Sequence, residues 1–104
     1  MSEHTALIRW QNNSATMDYD SYPRDHSWEF PGGPVVKGSA AEGYGGGTDC
    51  IDPEEGLVAS LAACHMLTFL AIAARKKLVV ANYTDQPVGH LEKNAEGRIA
   101  VTRI

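Results

Sequence analysis

Between Asp52 and Lys77 the chain reads DPEEGLVASLAACHMLTFLAIAARKK, and this stretch dictates what the rest must do. Its start carries dense helix signals. Asp52 is a favourable N-cap, Pro53 suits the first helical position, and Glu55 completes an Asp-x-x-Glu variant of the capping box. Glu54 and Glu55 in the first turn, and Arg75, Lys76 and Lys77 in the last, each complement the helix dipole. From Leu57 to Ala74 the residues are apolar or small on nearly every face, the pattern of a helix buried on all sides. The spacing predicts one long central buried helix over 52–77, roughly 37 Å in length. A single domain of 104 residues buries roughly 60–70% of its unfolded surface and has little with which to cover such a rod. A partner subunit is therefore expected to supply the missing cover.

Charge and cysteine content narrow the function. The net charge is −4, and basic residues cluster only at Arg75–Lys77, where the dipole explains them; this argues against nucleic acid as a partner. Two cysteines and an N-terminus without a charged start and following apolar run suggest a reducing, cytoplasmic setting. Leu57–Ala74 reaches the length of a membrane span. Ser60, Cys64, His65 and Thr68 interrupt it, and alanine inserts weakly, so no membrane partner is expected.

Around the helix the pattern predicts an α+β fold with antiparallel strands before and after it. The N-terminal part, 1–37, reads as strands at Ala6–Trp10, His26–Phe30 and Val35–Lys37, with the polar turn Gln11–Ser14, an aromatic-rich loop at Asp18–Asp25 and Pro31-Gly32-Gly33-Pro34 as a tight turn. Residues 38–51 form a Gly-rich loop without periodicity, expected to be the most mobile segment; GYGGG lacks the Lys-Ser/Thr ending of a phosphate loop. The C-terminal part, 78–104, reads as strands at Leu78–Tyr83, Val88–Glu92 and Arg98–Ile104, with Asn94-Ala95-Glu96-Gly97 as a hairpin turn. No repeat divides the chain, and a single domain is expected.

Asp52-Pro53-Glu54-Glu55 followed by Ala59-Ser60-Leu61-Ala62-Ala63-Cys64-His65-Met66 resembles the OsmC/Ohr family, osmotically inducible protein C and organic hydroperoxide resistance protein. That family opens its helix with (Asn/Asp)-Pro-Glu-(Glu/Gln) and carries its reactive cysteine about ten residues beyond the glutamate; Glu54 and Cys64 occupy those positions. Arg24-Asp25-His26-Ser27-Trp28-Glu29-Phe30 and the hairpin from Val88 to Ile104 are also similar to family segments. The resemblance implies a thiol-dependent peroxidase that reduces organic hydroperoxides in oxidative stress defence, an intertwined homodimer with sheets around central helices, and no cofactor. It further implies a second cysteine on a second long helix downstream, which forms a disulfide with the first, and a dithiol reductant such as a lipoyl protein. This sequence ends before that helix, and Cys50 precedes the first one. The chain is expected to be incomplete at its C-terminus or a short form, with Cys50 an incidental loop thiol.

The chemistry places its own demands. The thiolate is the nucleophile, a free cysteine has a pKa of about 8.5, and burial disfavours the charged form further. Cys64 lies about three turns into the helix, beyond the useful reach of the dipole, so its reactivity requires an outside cation. In the family this is an arginine from the N-terminal region held by the motif glutamate. By position the candidates are Arg24 and Arg9, with Arg24 favoured for its aromatic-rich loop. Glu54 lies about 15 Å along the helix and roughly 80° around it from Cys64, so it is expected to serve the Cys64 of the partner subunit.

Alternative readings come from the residues themselves. A cysteine in an alanine-rich helix is most often a small buried hydrophobe, which gives a non-catalytic dimeric protein binding a small apolar ligand, with Cys64 structural. Glu54 also reads as a plain dipole residue and Arg24 as a solvated charge. His65 points about 100° away from Cys64 on the helix and is no obvious base for it. His4, His26, His65 and His90 lack metal-ligand spacing, and Trp10, Trp28 and the tyrosines read as core or interface residues.

Overall fold

A computed structural model describes residues 2–104. In chain order it contains β1 (Leu7–Arg9), β2 (His26–Glu29), β3 (Val35–Gly38), a short 3-10 turn (Glu42–Tyr44), α1 (Pro53–Arg75), β4 (His90–Lys93) and β5 (Ile99–Arg103). The residues cluster into two compact units, Met1–Pro53 and Glu54–Ile104.

In the first unit, β1, β2 and β3 form an antiparallel meander with β2 in the middle. The expected Pro-Gly-Gly-Pro turn joins β2 to β3, and Gly33 donates its N–H to the Phe30 carbonyl at 2.9 Å. Cross-strand pairing puts Arg9 opposite Ser27, and the Arg9 Nε–H donates to Glu29 Oε2 at 2.9 Å. The Gly-rich segment after β3 carries its own hydrogen bonds. The Gly47 N–H donates to Ser39 Oγ at 3.0 Å, the Gly46 N–H to the Ala41 carbonyl at 3.2 Å, and Ser39 is 1% exposed. Its glycines allow close backbone approach, a use that composition alone does not separate from flexibility. Ile51 then pairs with β3 through a parallel bridge to Gly38.

The second unit carries α1 and the β4–β5 hairpin. Pro53 is the first helical residue, as its fixed φ favours. Ser60, a polar residue in an apolar run, donates its hydroxyl to the Leu57 carbonyl at 2.9 Å. The helix ends at Arg75, two residues before the expected limit. The Leu78 N–H reaches the Ala73 carbonyl at 2.9 Å and the Lys77 N–H the Ala74 carbonyl at 3.0 Å, a Schellman closure with Lys77 at φ 59° in the left-handed position.

Leu78–Tyr83 is not a strand. Its β-prone residues join no ladder among the described residues, and the segment links α1 to the β4–β5 hairpin without regular structure. The Tyr83 and Phe69 rings lie 5.7 Å apart, and at Gly89 the backbone comes so close to Val58 that a Cβ would collide with Val58 Cγ2. The hairpin turn falls where expected. Asn94 Oδ1 accepts the N–H groups of Glu96 and Arg98 at 2.9 and 3.0 Å, and Gly97 adopts φ 79°.

Within the single chain α1 is largely exposed, and its expected burial is the part assigned to a partner subunit. Ala73 is the one α1 residue that is buried, and Leu57, Leu61, Leu67, Phe69 and Ile72 are 45–63% exposed. A chain this short lacks the apolar surface to cover a 23-residue helix. By length and composition α1 is also apolar enough to cross a membrane.

Candidate functional site

The first unit builds a rigid setting for Arg24. Asp18 starts a tight turn, its carbonyl accepting the N–H groups of Ser21 and Tyr22 at 3.1 and 2.9 Å. The Arg24 side chain folds over this turn. Its Nη1 donates to the Tyr22 carbonyl and its Nη2 to the Tyr19 carbonyl, both at 2.6 Å. The guanidinium carbon stands 3.7 Å from the centre of the Tyr22 ring and 5.5 Å from that of Tyr19, a cation–π arrangement that holds the charge over two aromatic faces. The backbone around Arg24 is held as firmly. Trp10 Nε1–H donates to the Pro23 carbonyl at 2.9 Å, and His26 Nδ1 pairs with the Arg24 carbonyl at 2.7 Å. Trp28 Nε1–H donates to His26 Nε2 at 2.9 Å, which makes Nε2 the acceptor and assigns the imidazole proton to Nδ1.

Arg24 lines an open hollow of about 390 Å³, together with Ile8, Trp10, Met17, Tyr22 and Pro23. The walls are mostly apolar and carry a cation, the composition of a site for a small organic molecule with one polar end. Arg9, the other candidate arginine, is committed to Glu29. The hydrogen bond to Arg9 and a second from Ser27 hold the Glu29 carboxyl below its ordinary value.

Cys50 sits in a different environment. Burial first, then the carboxylates of Asp25 and Asp49, push its thiol up, with Lys37 opposing. Asp25 is fixed nearby by the Ser39 hydroxyl, which donates to its Oδ1 at 2.8 Å. A thiol among carboxylates stays protonated and is a poor nucleophile.

In the second unit Cys64 and Glu54 both lie on α1. Both cysteines are free, and Cys64 is exposed in the single chain, where the sequence predicts burial; the small residues around it give no cover of their own. Glu54 Oε2 is buried and has no hydrogen-bond partner. A buried carboxylate oxygen without a donor is costly. The unbroken helix separates Glu54 from Cys64 by about 15 Å along its axis, so within one chain these two side chains do not meet. Among the described residues, no group of three or more His, Cys, Asp or Glu is placed to hold a metal ion.

The hydrogen bonds of Trp10, His26 and Trp28 around Arg24 are not among the sequence expectations, in which the two tryptophans read as core or interface residues and His26 as lacking metal-ligand spacing. A signal existed in the His-x-Trp spacing directly after Asp25. Residues two apart in a strand share a face, so the two rings were bound to meet.

A long helix with a single thiol at its middle, set in chain order between two antiparallel sheets, defines a class of thiol-bearing α+β proteins. A solved structure of an OsmC-like protein of unknown function from Vibrio cholerae O1 biovar eltor is 42% identical to this chain and superposes with a TM-score of 0.91, covering 98% of this chain and 70% of its own. The chain belongs to the OsmC/Ohr family. No family model and no curated protein matches it.

Proposed function

We propose that this protein is a cytoplasmic, thiol-dependent peroxidase that reduces organic hydroperoxides as a homodimer. The observation that carries this reading is the buried, donorless Glu54 Oε2 at the start of the helix that bears Cys64. An arginine is the natural donor for such an atom, since its planar fork matches a carboxylate. Arg24 is the favoured arginine, because it is presented on a fixed loop and its guanidinium donates to neutral carbonyls rather than to a carboxylate. In the working dimer Glu54 orients Arg24, and Arg24 favours the thiolate of Cys64. The exposed apolar faces of α1 cover one another between subunits, and the Glu54 of one subunit serves the Cys64 of the other.

The reaction is then a two-electron transfer. The Cys64 thiolate attacks the terminal oxygen of the hydroperoxide, an S–O bond forms and the O–O bond breaks. The sulfur is oxidised to a sulfenic acid, and the alkoxide leaves and takes a proton from water to become an alcohol. A dithiol reductant such as a lipoyl protein returns the sulfur to the thiol. Trapping of a sulfenic acid by a dimedone-type reagent, after one equivalent of cumene hydroperoxide, tests this. An adduct on Cys64 that is lost in Cys64→Ser supports the reading, and the absence of an adduct in the native protein removes it.

A second reading has its own support. The open apolar hollow beside Arg24 suits a small apolar ligand, held by a non-catalytic dimer in which Cys64 only packs. Under that reading no sulfenic acid forms.

A further inference from the structure

Arg24 is gripped on both sides of its Cα. The peptide plane before it ends in the Pro23 carbonyl, which Trp10 Nε1–H holds at 2.9 Å. The plane after it ends in the Arg24 carbonyl, which His26 Nδ1–H holds at 2.7 Å. With both planes fixed, φ and ψ of Arg24 are fixed, because a residue has only those two soft backbone angles. The direction in which its side chain leaves the loop is therefore set by two aromatic side chains, one just after β1 and one at the start of β2. Most of the grip is built into the sheet. His26 opens β2, and Trp10 directly follows β1.

The His26 contact is itself supported. Trp28, on the same face two residues along β2, donates to His26 Nε2 at 2.9 Å, and the two rings lie nearly parallel, 19° apart. That bond needs the neutral ring with its proton on Nδ1, which is the form that can donate to the Arg24 carbonyl. Across the sheet Gly38 pairs with His26. A Cβ there would come within 2.6 Å of His26 Nε2 and closer still to the Trp28 indole nitrogen, so the hydrogen-bonded pair occupies space that only glycine leaves open.

We infer that His26, supported by Trp28, and Trp10 are positioning residues for Arg24: they hold the backbone on either side of it so that its guanidinium is delivered in one direction. This rests on the reading of Arg24 as the cation that serves Cys64. It goes beyond that reading by assigning a role to three residues whose hydrogen bonds act on the backbone of Arg24, directly for Trp10 and His26 and through His26 for Trp28. A side chain that is already ordered loses less freedom when it engages a charge, so a fixed arginine stabilises a thiolate better than a loose one.

The test measures the rate of Cys64 with cumene hydroperoxide across pH, in the full chain carrying Cys50→Ser so that one thiol reports. His26→Phe removes both hydrogen bonds and keeps a planar ring. His26→Asn places an amide N–H where Nδ1–H stood and restores the bond to the Arg24 carbonyl. At neutral pH His26→Phe is expected to slow Cys64 about three- to tenfold and to move the rising limb of the pH profile upward, since each pH unit of displacement is about tenfold in thiolate. His26→Asn is expected to return the rate to within about twofold of the native value, because it regains the hydrogen bond without the ring. In an Arg24→Met background His26→Phe is expected to add nothing, because residues acting through one group are not additive.

A normal rate in Arg24→Met would remove the underlying reading and this inference with it. A slow Arg24→Met beside a normal His26→Phe would leave the reading standing and overturn the positioning role. Additive losses in the double variant would overturn it as well. If His26→Phe does not fold, Trp10→Phe, which loses the indole N–H together with the five-membered ring that carries it, takes its place and is likewise read against the Arg24→Met background. A slowed rate with a displaced profile supports the inference, and an unchanged rate overturns it.

Discussion

Glu54 and Cys64 stand ten residues apart on one unbroken helix, a separation of about 15 Å along the axis that no glutamate side chain spans. Within a chain they are strangers, yet Glu54 Oε2 is buried and lacks a donor. The proposed dimer answers both observations by bringing the Glu54 of one subunit to the Cys64 of the other.

Mixed dimers test that relationship. Cys64→Ser and Glu54→Gln homodimers are each expected to lose hydroperoxide reduction, by at least about tenfold for Glu54→Gln if one oriented charge is worth a pKa unit at the thiol. Co-refolded heterodimers are expected to recover one working site, in which the thiol of the Glu54→Gln chain meets the intact Glu54 of the other. Single-turnover peroxide consumption reads the result. Recovery absent from the heterodimer places Glu54 outside the partner's site.

Cys50 is expected to be dispensable. Burial and the Asp25 and Asp49 carboxylates keep its thiol protonated well above neutrality, so Cys50→Ser should leave the hydroperoxide reaction unchanged. Brief alkylation at pH 7, read by mass of the peptides, should label Cys64 and spare Cys50. Preferential labelling of Cys50 contradicts this.

The Arg9–Glu29 pair ties β1 to β2 and makes a pH prediction. The Glu29 carboxyl is lowered in the folded chain, chiefly by its hydrogen bond from Arg9. A lowered carboxylate adds stability that is fully present above its unfolded value, about 4.3, and is lost as pH falls through the lower folded value. Arg9 stays charged throughout this range and adds no slope. Thermal melts should show Glu29→Gln less stable than the native chain near neutrality, by a small margin suited to an exposed pair. The two curves should converge in strong acid. A gap that persists there would assign the difference to something other than this ionisation.

Lys77 closes α1 from the left-handed region at φ 59°. A side chain there costs energy that glycine does not. Lys77→Gly is expected to stabilise the chain by about 0.5–1 kcal/mol, visible as an upward shift of the melting midpoint. A loss of stability would mean that the lysine makes a contact worth more than the strain.

Much of the fold was legible where one residue type has one use. Pro53 and the paired glutamates marked the helix start, Asn94 to Gly97 marked the hairpin, and the alternation at His26–Phe30 marked β2. What misled was chemistry with two uses. The Val-Val pair after Lys77 is β-prone, but a strand needs a neighbour, and composition does not reveal whether one is near. Glycine serves either mobility or close approach, and at Gly46 and Gly47 a Cβ would collide with the Ala40 carbonyl and the Asp25 carboxylate. The apolar pattern of α1 calls for cover on every face, and the single chain leaves most of that surface exposed. At the candidate site the family motif points to Cys64 and Glu54, and position in the N-terminal part points to Arg24 or Arg9. Neither supplies the grip on Arg24, which depends on two carbonyl directions that only coordinates contain.

The most direct measurement is the second-order rate constant of the Cys64 thiol with cumene hydroperoxide near neutral pH, in the assembled protein with Cys50→Ser, set beside free cysteine under the same conditions. An activated thiolate held by Arg24 should react at least about a hundredfold faster than the free amino acid, since full ionisation at pH 7 gives a few tens and peroxide positioning adds more. A rate no greater than that of free cysteine would make Cys64 a packing residue and end the peroxidase reading.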